Sequence, residues 1–278
     1  MDVALHEFDR DTAVEPLGEG RYRGTVSPGY SIGQYPNGGY VLSIALRAVA
    51  AELPLPDPLA VSAHYVTPSV HGAPIDIEVE VIRAGRGTAT AQARCSQDGV
   101  ERFRLLATFG DLGRAEGATA ELGAPPDLPP VERCLGRSEE AGEAPAAMPN
   151  GLVAAVRERF DTRLDPATVG WLSGNLTGRG VIQGYARFSD GRQPDLMAMM
   201  LIADSFPPAV FDLATGGWVP TIEFTVHCRA HPAPGWLRCR FSTSHLRDGY
   251  LEEDGEVWDS EGTLVCQSRQ LARFNVRR

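Results

Sequence analysis

Apolar and polar positions along the chain set out two halves with the same order of elements. In the first, a strand is predicted over residues 20–26, then a loop, then a mainly apolar helix from about 40 to 52. Asn37-Gly38-Gly39 opens that helix and Leu53-Pro54-Leu55-Pro56 ends it. From residue 61 to 109 the period changes to two: Ile75-Asp-Ile-Glu-Val-Glu-Val81 alternates cleanly, and Gln97-Asp98-Gly99 reads as a hairpin turn. Residues 110–150 are rich in Gly, Pro, Ala and Glu, including Ser138-Glu-Glu-Ala-Gly-Glu143, and read as a linker or poorly packed excursion. Strands follow at 160–165 and 181–188, then a helix, then strands from 219 to 274 with a turn at Asp259-Ser-Glu-Gly262.

The second helix is the most informative stretch. Pro194 suits its first position, Asp195 its positive end, and Pro207-Pro208 stops it. Leu196 through Ala203 is apolar on every face, the pattern of a buried helix, yet Asp204 follows directly. A carboxylate there must be hydrogen-bonded or have its pKa raised, because an unpaired buried charge is too costly. The local alternative is an acid capping a short helix over 207–213.

The halves align on one another. Asn37 falls on Asp195 at an offset of 158, Ser62-Ala-His-Tyr65 on Thr221-Ile-Glu-Phe224 at 159, and Leu106-Ala-Thr-Phe109 on Leu271-Ala-Arg-Phe274 at 165. Arg83-Ala-Gly85 and Arg247-Asp-Gly249 occupy comparable places. Surface turns absorb the small drift, so this is an internal duplication. It places Leu46 where the second half has Asp204, Leu105 where it has Gln270, and Ser62 where it has Thr221. A fold that manages with leucines in one half does not require the acid and amide in the other.

Composition narrows the function. A chain of 278 residues, 43% hydrophobic and 22% charged, builds an ordinary globular core. Its net charge of −10 argues against nucleic acid or an anionic membrane as a general partner. The apolar runs are too short for membrane insertion, and Met-Asp-Val-Ala-Leu-His-Glu is no secretion signal. Five cysteines at 95, 134, 228, 239 and 266 form neither a disulfide framework nor a CxxC pattern, which suits a cytoplasmic setting. The histidines at 6, 64, 71, 227, 231 and 245 lack metal-ligand spacing, so no metal and no cofactor is expected. His64 and His227 are candidate pocket residues, and Met197, Met199 and Met200 are core candidates that also suit the wall of an acyl tunnel. Leu251-Glu-Glu-Asp-Gly255 reads as a solvated turn and strand face.

A long helix wrapped by an antiparallel sheet, repeated in tandem, is the α+β double hotdog arrangement. Ala203-Asp204, Pro220-Thr-Ile-Glu-Phe-Thr-Val-His227 and Leu264-Val-Cys-Gln-Ser-Arg-Gln-Leu-Ala-Arg-Phe274 resemble the three signature segments of type II acyl-CoA thioesterases. Asn37-Gly38-Gly39 resembles the Gly-Gly that opens that family's first helix. Glu223-Phe224 departs from the Asp-His often found there, at the expected pocket wall. The resemblance implies an N-terminal hotdog over 1–110, a linker over 111–150 and a C-terminal hotdog over 151–278. It also implies a hydrolase of fatty-acyl or related acyl-CoA thioesters in which Asp204, Thr221 and Gln270 activate water. Backbone N–H groups at Gly38, Gly39 and Tyr40, at the positive end of a helix, would receive the carbonyl oxygen. Hotdog relatives imply a homodimer. Arg83, Arg86, Arg247 and the Arg277-Arg278 tail are candidates for the CoA phosphates. Two other functions remain open at this point: a non-catalytic double hotdog that binds acyl-CoA or an acyl carrier, and other hotdog chemistry. The hydratase pattern of Asp followed five residues later by His is absent, since residue 209 is Ala.

Overall fold

The computed structural model describes residues 5–136, 154–214 and 217–276. Its two principal helices begin in the same way. Asn37 Oδ1 accepts the Tyr40 N–H at 2.8 Å, and Asp195 Oδ1 accepts the Ala198 N–H at 2.9 Å. Each side chain satisfies an N–H that the first helical turn leaves unpaired. These caps are the residues that the offset of 158 pairs. Pro194 lies before the second cap, not at the first helical position as predicted. Asp195 must stay extended to reach Ala198, which moves the helix start to Leu196.

The first helix, Gly38–Glu52, is continuous and buried along most of its length. The second is shorter, a 3-10 turn over Leu196–Ala198 continued by an α turn over Met199–Ile202. They meet where the first begins. A Cβ on Gly39 would stand 2.8 Å from the Met200 carbonyl carbon and 2.9 Å from Asp204 Cβ, so only glycine lets the backbones approach this closely.

Around the helices runs one antiparallel sheet, of 14 strands among the described residues. Its first half is ordered Val14–Gly18, Arg21–Thr25, Pro74–Ala84, Ala89–Gln97, Val100–Gly110, Asp57–Tyr65. From there the order is mirrored outward: Thr221–Cys228, Leu264–Arg273, Tyr250–Trp258, Leu237–Ser242, Val181–Phe188, Phe160–Leu164, Leu135–Gly136, with the short strand Leu246–Arg247 pairing with Tyr250–Trp258 off this path. Asp57–Tyr65 and Thr221–Cys228 pair at the centre and fuse the halves. There Ser62 Oγ donates to Glu223 Oε1 at 3.0 Å, a bond across the seam. Part of the predicted excursion belongs to the second half: Leu135–Gly136 pairs with Phe160–Leu164, and the Tyr185 hydroxyl donates to the Pro129 carbonyl at 3.1 Å. Ser138–Glu143 and Arg277-Arg278 lie outside the described residues.

Sheet register corrects the internal alignment at one point. Ala63 pairs with Leu105 as Phe224 pairs with Gln270, and Ser62 with Leu106 as Glu223 with Leu271. Ser62 is therefore the counterpart of Glu223, not of Thr221. Thr221 pairs with Ala272 as Val61 pairs with Ala107, so its counterpart is Val61. The slip arises from a bulge between Thr221 and Glu223 that sequence spacing does not reveal. After this correction Asp204, Thr221 and Gln270 all have buried apolar counterparts: Leu46, Val61 and Leu105.

Outside the sheet, the N-terminal helix Glu7–Asp11 is clamped to both halves through Asp9. Arg47 of the first helix and Arg192 of the second half both donate to it, at 2.7 and 2.8 Å. Arg192 is buried, also donates to Asp195 at 2.6 Å, and lies over the Phe8 and Phe188 rings. No helix among the described residues is long and apolar enough to cross a membrane.

Candidate active site

A cavity of about 440 Å³ opens between the start of the first helix and the end of the second. Both halves line it. Asn37, Gly38 and Tyr65 come from the first, and Asp204, Thr221, Glu253 and Gln270 from the second. Ile32, Val41, Val66, Phe206, Trp218 and Phe241 make its walls largely apolar.

Asp204 sits two residues beyond the end of the second helix, half-buried and open to the cavity. Its Oδ2 accepts the Gly39 N–H at 2.8 Å, and Asn37 Nδ2 donates to its main-chain oxygen at 2.6 Å. Burial pushes its carboxyl up to about 6, against the opposing pull of the Gly39 and Gly38 amides and Asn37. The acid is thus positioned by the other half of the molecule, 165 residues away in sequence. It caps no helix at 207–213: the turn there, Ala209–Asp212, offers its Ala209 N–H to Glu253.

Thr221 reaches the cavity because of the bulge. Strict alternation from Phe224, Val226 and Cys228, which face inward, would put Thr221 outside with Glu223 and Thr225. The extra residue re-aims it inward, a common use of bulges beside functional sites. Its hydroxyl donates to Gln270 Oε1 at 2.6 Å. Gln270 is buried, and its Nε2 donates to Glu253 Oε1 at 2.8 Å. Asp204 and the Thr221–Gln270 pair face one cavity without a direct hydrogen bond between them, which leaves room for a small polar reactant.

Several predicted assignments change. The Gly39 amide donates to Asp204 and the Tyr40 amide to the cap Asn37. Gly38 lines the cavity, and its carbonyl accepts the Tyr65 hydroxyl at 2.9 Å. His64 and His227 are exposed and do not line the cavity, because alternation turns both outward. Met199 and Met200 are core, but none of Met197, Met199 and Met200 lines the cavity. Glu223 faces the seam and Phe224 the core, so this departure from the family pattern does not alter the pocket wall. Neither Arg83, Arg86 nor Arg247 lines the cavity.

The acidic run at 251–255 is not a uniformly solvated face. It lies in the strand Tyr250–Trp258, where Glu252 and Asp254 point outward but Glu253 points in with Leu251. Burial pushes Glu253 up to about 7, assisted by the Asp204 charge and opposed by the bonds from Ala209 and Gln270. Period-two alternation from Leu251 to Val257 was the signal for it. Alternation from Ala63 would likewise have placed Tyr65 inward.

A larger cleft, about 660 Å³, lies over the outer strands of the second half, with Arg163, Arg187, Arg192 and Trp236 in its walls. Asp161 pairs with two of these arginines, and Asp9 and Asp195 with the third. It contains none of the converging cavity residues. No group of three or more His, Cys, Asp or Glu suited to holding a metal occurs among the described residues.

Comparison with known proteins places this geometry in a family. The acyl-CoA thioesterase N-terminal domain family matches residues 26–110, and the acyl-CoA thioesterase C-terminal domain family matches 132–274. A candidate thioesterase II from Thermobifida fusca is 32% identical, with 98% of this chain and 99% of that one superimposed at a TM-score of 0.87. An uncharacterized protein of Mycobacterium tuberculosis is 28% identical, covering 90% of each chain. A thioesterase-like protein of Talaromyces wortmannii is 24% identical over 95% of this chain and 91% of its own. With both halves matched and the hotdog helices and sheet in place, the chain belongs to the acyl-CoA thioesterase family of double hotdog proteins.

Proposed function

We propose that this protein hydrolyses fatty-acyl or related acyl-CoA thioesters by direct attack of water, with Asp204 as general base and Thr221 and Gln270 orienting the water. The observation that carries this reading is the convergence of Asp204 with the Thr221–Gln270 pair on one apolar-walled cavity, from elements whose counterparts in the first half are apolar. Water attacks the thioester carbonyl carbon and its proton passes to Asp204. The C–S bond then breaks, and the leaving thiolate takes that proton, so that acid and thiol are the products. A base held near 6 is largely ionised at neutral pH yet basic enough to accept a proton in the transition state. Fixing the water in advance turns an encounter into a preset geometry.

The acyl chain occupies the apolar walls beside Phe206, Trp218 and Phe241. A cytoplasmic homodimer belongs to the same proposal, and sedimentation velocity checks the dimer. The decisive experiment is a panel of acyl-CoAs of varied length, followed by release of free thiol. Asp204→Asn and Gln270→Ala should stay folded and lose on the order of 10² to 10⁴ in turnover. Wild-type turnover in both variants sinks the assignment. Tight binding of intact acyl-CoA by the unaltered protein points instead to a non-catalytic binder.

A further inference from the structure

Glu253 stands opposite Gln270 in the sheet register, on the inner face, and lines the cavity. Its two oxygens have different partners: Oε1 accepts Gln270 Nε2 at 2.8 Å, and Oε2 accepts the Ala209 N–H. Ionised, Glu253 only accepts, so in that form the Gln270 amide must turn its NH2 toward Glu253 and its carbonyl toward Thr221. The Thr221 hydroxyl has one hydrogen, and Gln270 Oε1 receives it at 2.6 Å. Both lone pairs of Thr221 are thereby left for the cavity.

We propose that Glu253 is a positioning residue for thioester hydrolysis, holding Gln270 in the one orientation that makes Thr221 an acceptor for the attacking water. The proposal rests on the hydrolytic reading of the same cavity. Water whose hydrogens point at Asp204 and Thr221 presents an oxygen lone pair to the thioester carbon. With the amide reversed, Nε2 would donate to Thr221, whose hydrogen would then enter the cavity and compete for that lone pair.

The fold itself does not demand this acid. In the first half Ala93 pairs with Leu105 as Glu253 pairs with Gln270, and both Ala93 and Leu105 are buried. The plainer role for Glu253 is to satisfy the Ala209 N–H at the start of the turn Ala209–Asp212. That role needs one acceptor oxygen, which an amide supplies equally well.

Glu253→Gln separates the two roles. Its carbonyl oxygen keeps the Ala209 bond, and its NH2 faces Gln270 and forces the reversal. The melting temperature should equal or exceed that of the unaltered protein, kcat should fall about tenfold or more, and KM should stay within about twofold. In a Thr221→Val background the same substitution should cost nothing further, because no hydroxyl remains to be oriented. The exchange E253Q/Q270E restores a carboxylate acceptor opposite Thr221, and should recover part of the turnover that E253Q loses. Unchanged kcat in E253Q, a loss that multiplies with that of T221V, or no recovery in the exchange variant overturns the proposal. If the unaltered protein releases no thiol from any acyl-CoA, the hydrolytic reading falls and takes this one with it. An active parent with an indifferent E253Q removes the role of Glu253 alone.

Discussion

Gly39→Ala tests the contact on which the site depends, and its effect follows from distances. The added methyl would lie 2.8 Å from the Met200 carbonyl carbon and 2.9 Å from Asp204 Cβ, with the Met200 oxygen nearer still. Ordinary contact begins at 3.4 Å, and the Met200 oxygen is the closest atom met, so the helices must part by about 1 Å or more. Both groups met are held in place, one being backbone and the other the root of a hydrogen-bonded side chain, so neither swings aside. Overpacking of this kind costs roughly 1–3 kcal/mol, and the better helix propensity of alanine returns at most about 1 kcal/mol. A net loss of about 2 kcal/mol corresponds to a fall of about 4–8 °C in melting temperature for a domain of this size. The same displacement stretches the 2.8 Å bond from Gly39 N–H to Asp204 past hydrogen-bond range. Turnover at a temperature where the variant is folded should therefore fall about tenfold to a hundredfold, the usual consequence of misplacing a reacting group by a fraction of an ångström to one ångström. Gly38→Ala is the control: its methyl would meet only the tips of the Asp204 and Tyr65 side chains, each at 3.2 Å, and should cost less stability. Thermal denaturation and a thiol-release assay measure both effects. A G39A protein with unchanged melting temperature and unchanged turnover would refute the claim that the helix contact sets Asp204 in place.

Three further outcomes are expected. With the acid held up to about 6, kcat/KM should rise as pH increases through about 6 and then level off, a limb that Asp204→Asn flattens. Because folding raises this carboxyl above its ordinary value of 3.8, its contribution to stability is full below 3.8 and is lost as pH rises through about 6. Melting curves should therefore favour D204N over the unaltered protein progressively from pH 4 to pH 7. Replacing Thr221 and Gln270 together by their counterparts, as T221V/Q270L, removes both partners of one bond but also takes the Gln270 donor from Glu253, and should cost about 1–3 kcal/mol while abolishing turnover. A loss above about 3 kcal/mol in denaturant titration would show the pair to be structural. Arg192→Met leaves Asp9 paired with Arg47 and takes the ion pair from the partly exposed Asp195, and should cost about 1–2 kcal/mol, with turnover per folded molecule unchanged because Arg192 does not line the cavity.

What could be read from the chain follows the range of the interactions involved. The helix caps, the strand alternation and the turns at Asp98–Gly99 and Asp259–Gly262 are local, and their residues announce them. Asp204 was legible because a lone acid after eight apolar residues violates a local rule. The inward aim of Thr221 was not, because it depends on a bulge whose cause lies in the pairing with Leu264–Arg273. Nor was the commitment of the Gly39 amide, which required knowing that the second helix ends against the start of the first. Glu253 was hidden by its neighbours: charges on both sides made a strand with one buried acid resemble a solvated stretch.

The duplication explains why the site takes this form. Two copies of one fold share a central strand pair and bring the start of one helix against the end of the other. In the first copy the positions corresponding to Asp204, Thr221, Glu253 and Gln270 are Leu46, Val61, Ala93 and Leu105, all buried. That copy therefore demonstrates, within the same molecule, that the architecture closes around apolar side chains. Its distinctive contribution is the opening of its helix, where Gly39 admits the other backbone and Asn37 and the Gly39 N–H hold Asp204. Each half supplies what the other lacks: one the amides that orient the acid, the other the acid and its polar partners. The isolated second half would retain every residue of the polar network but lose the groups that place its base.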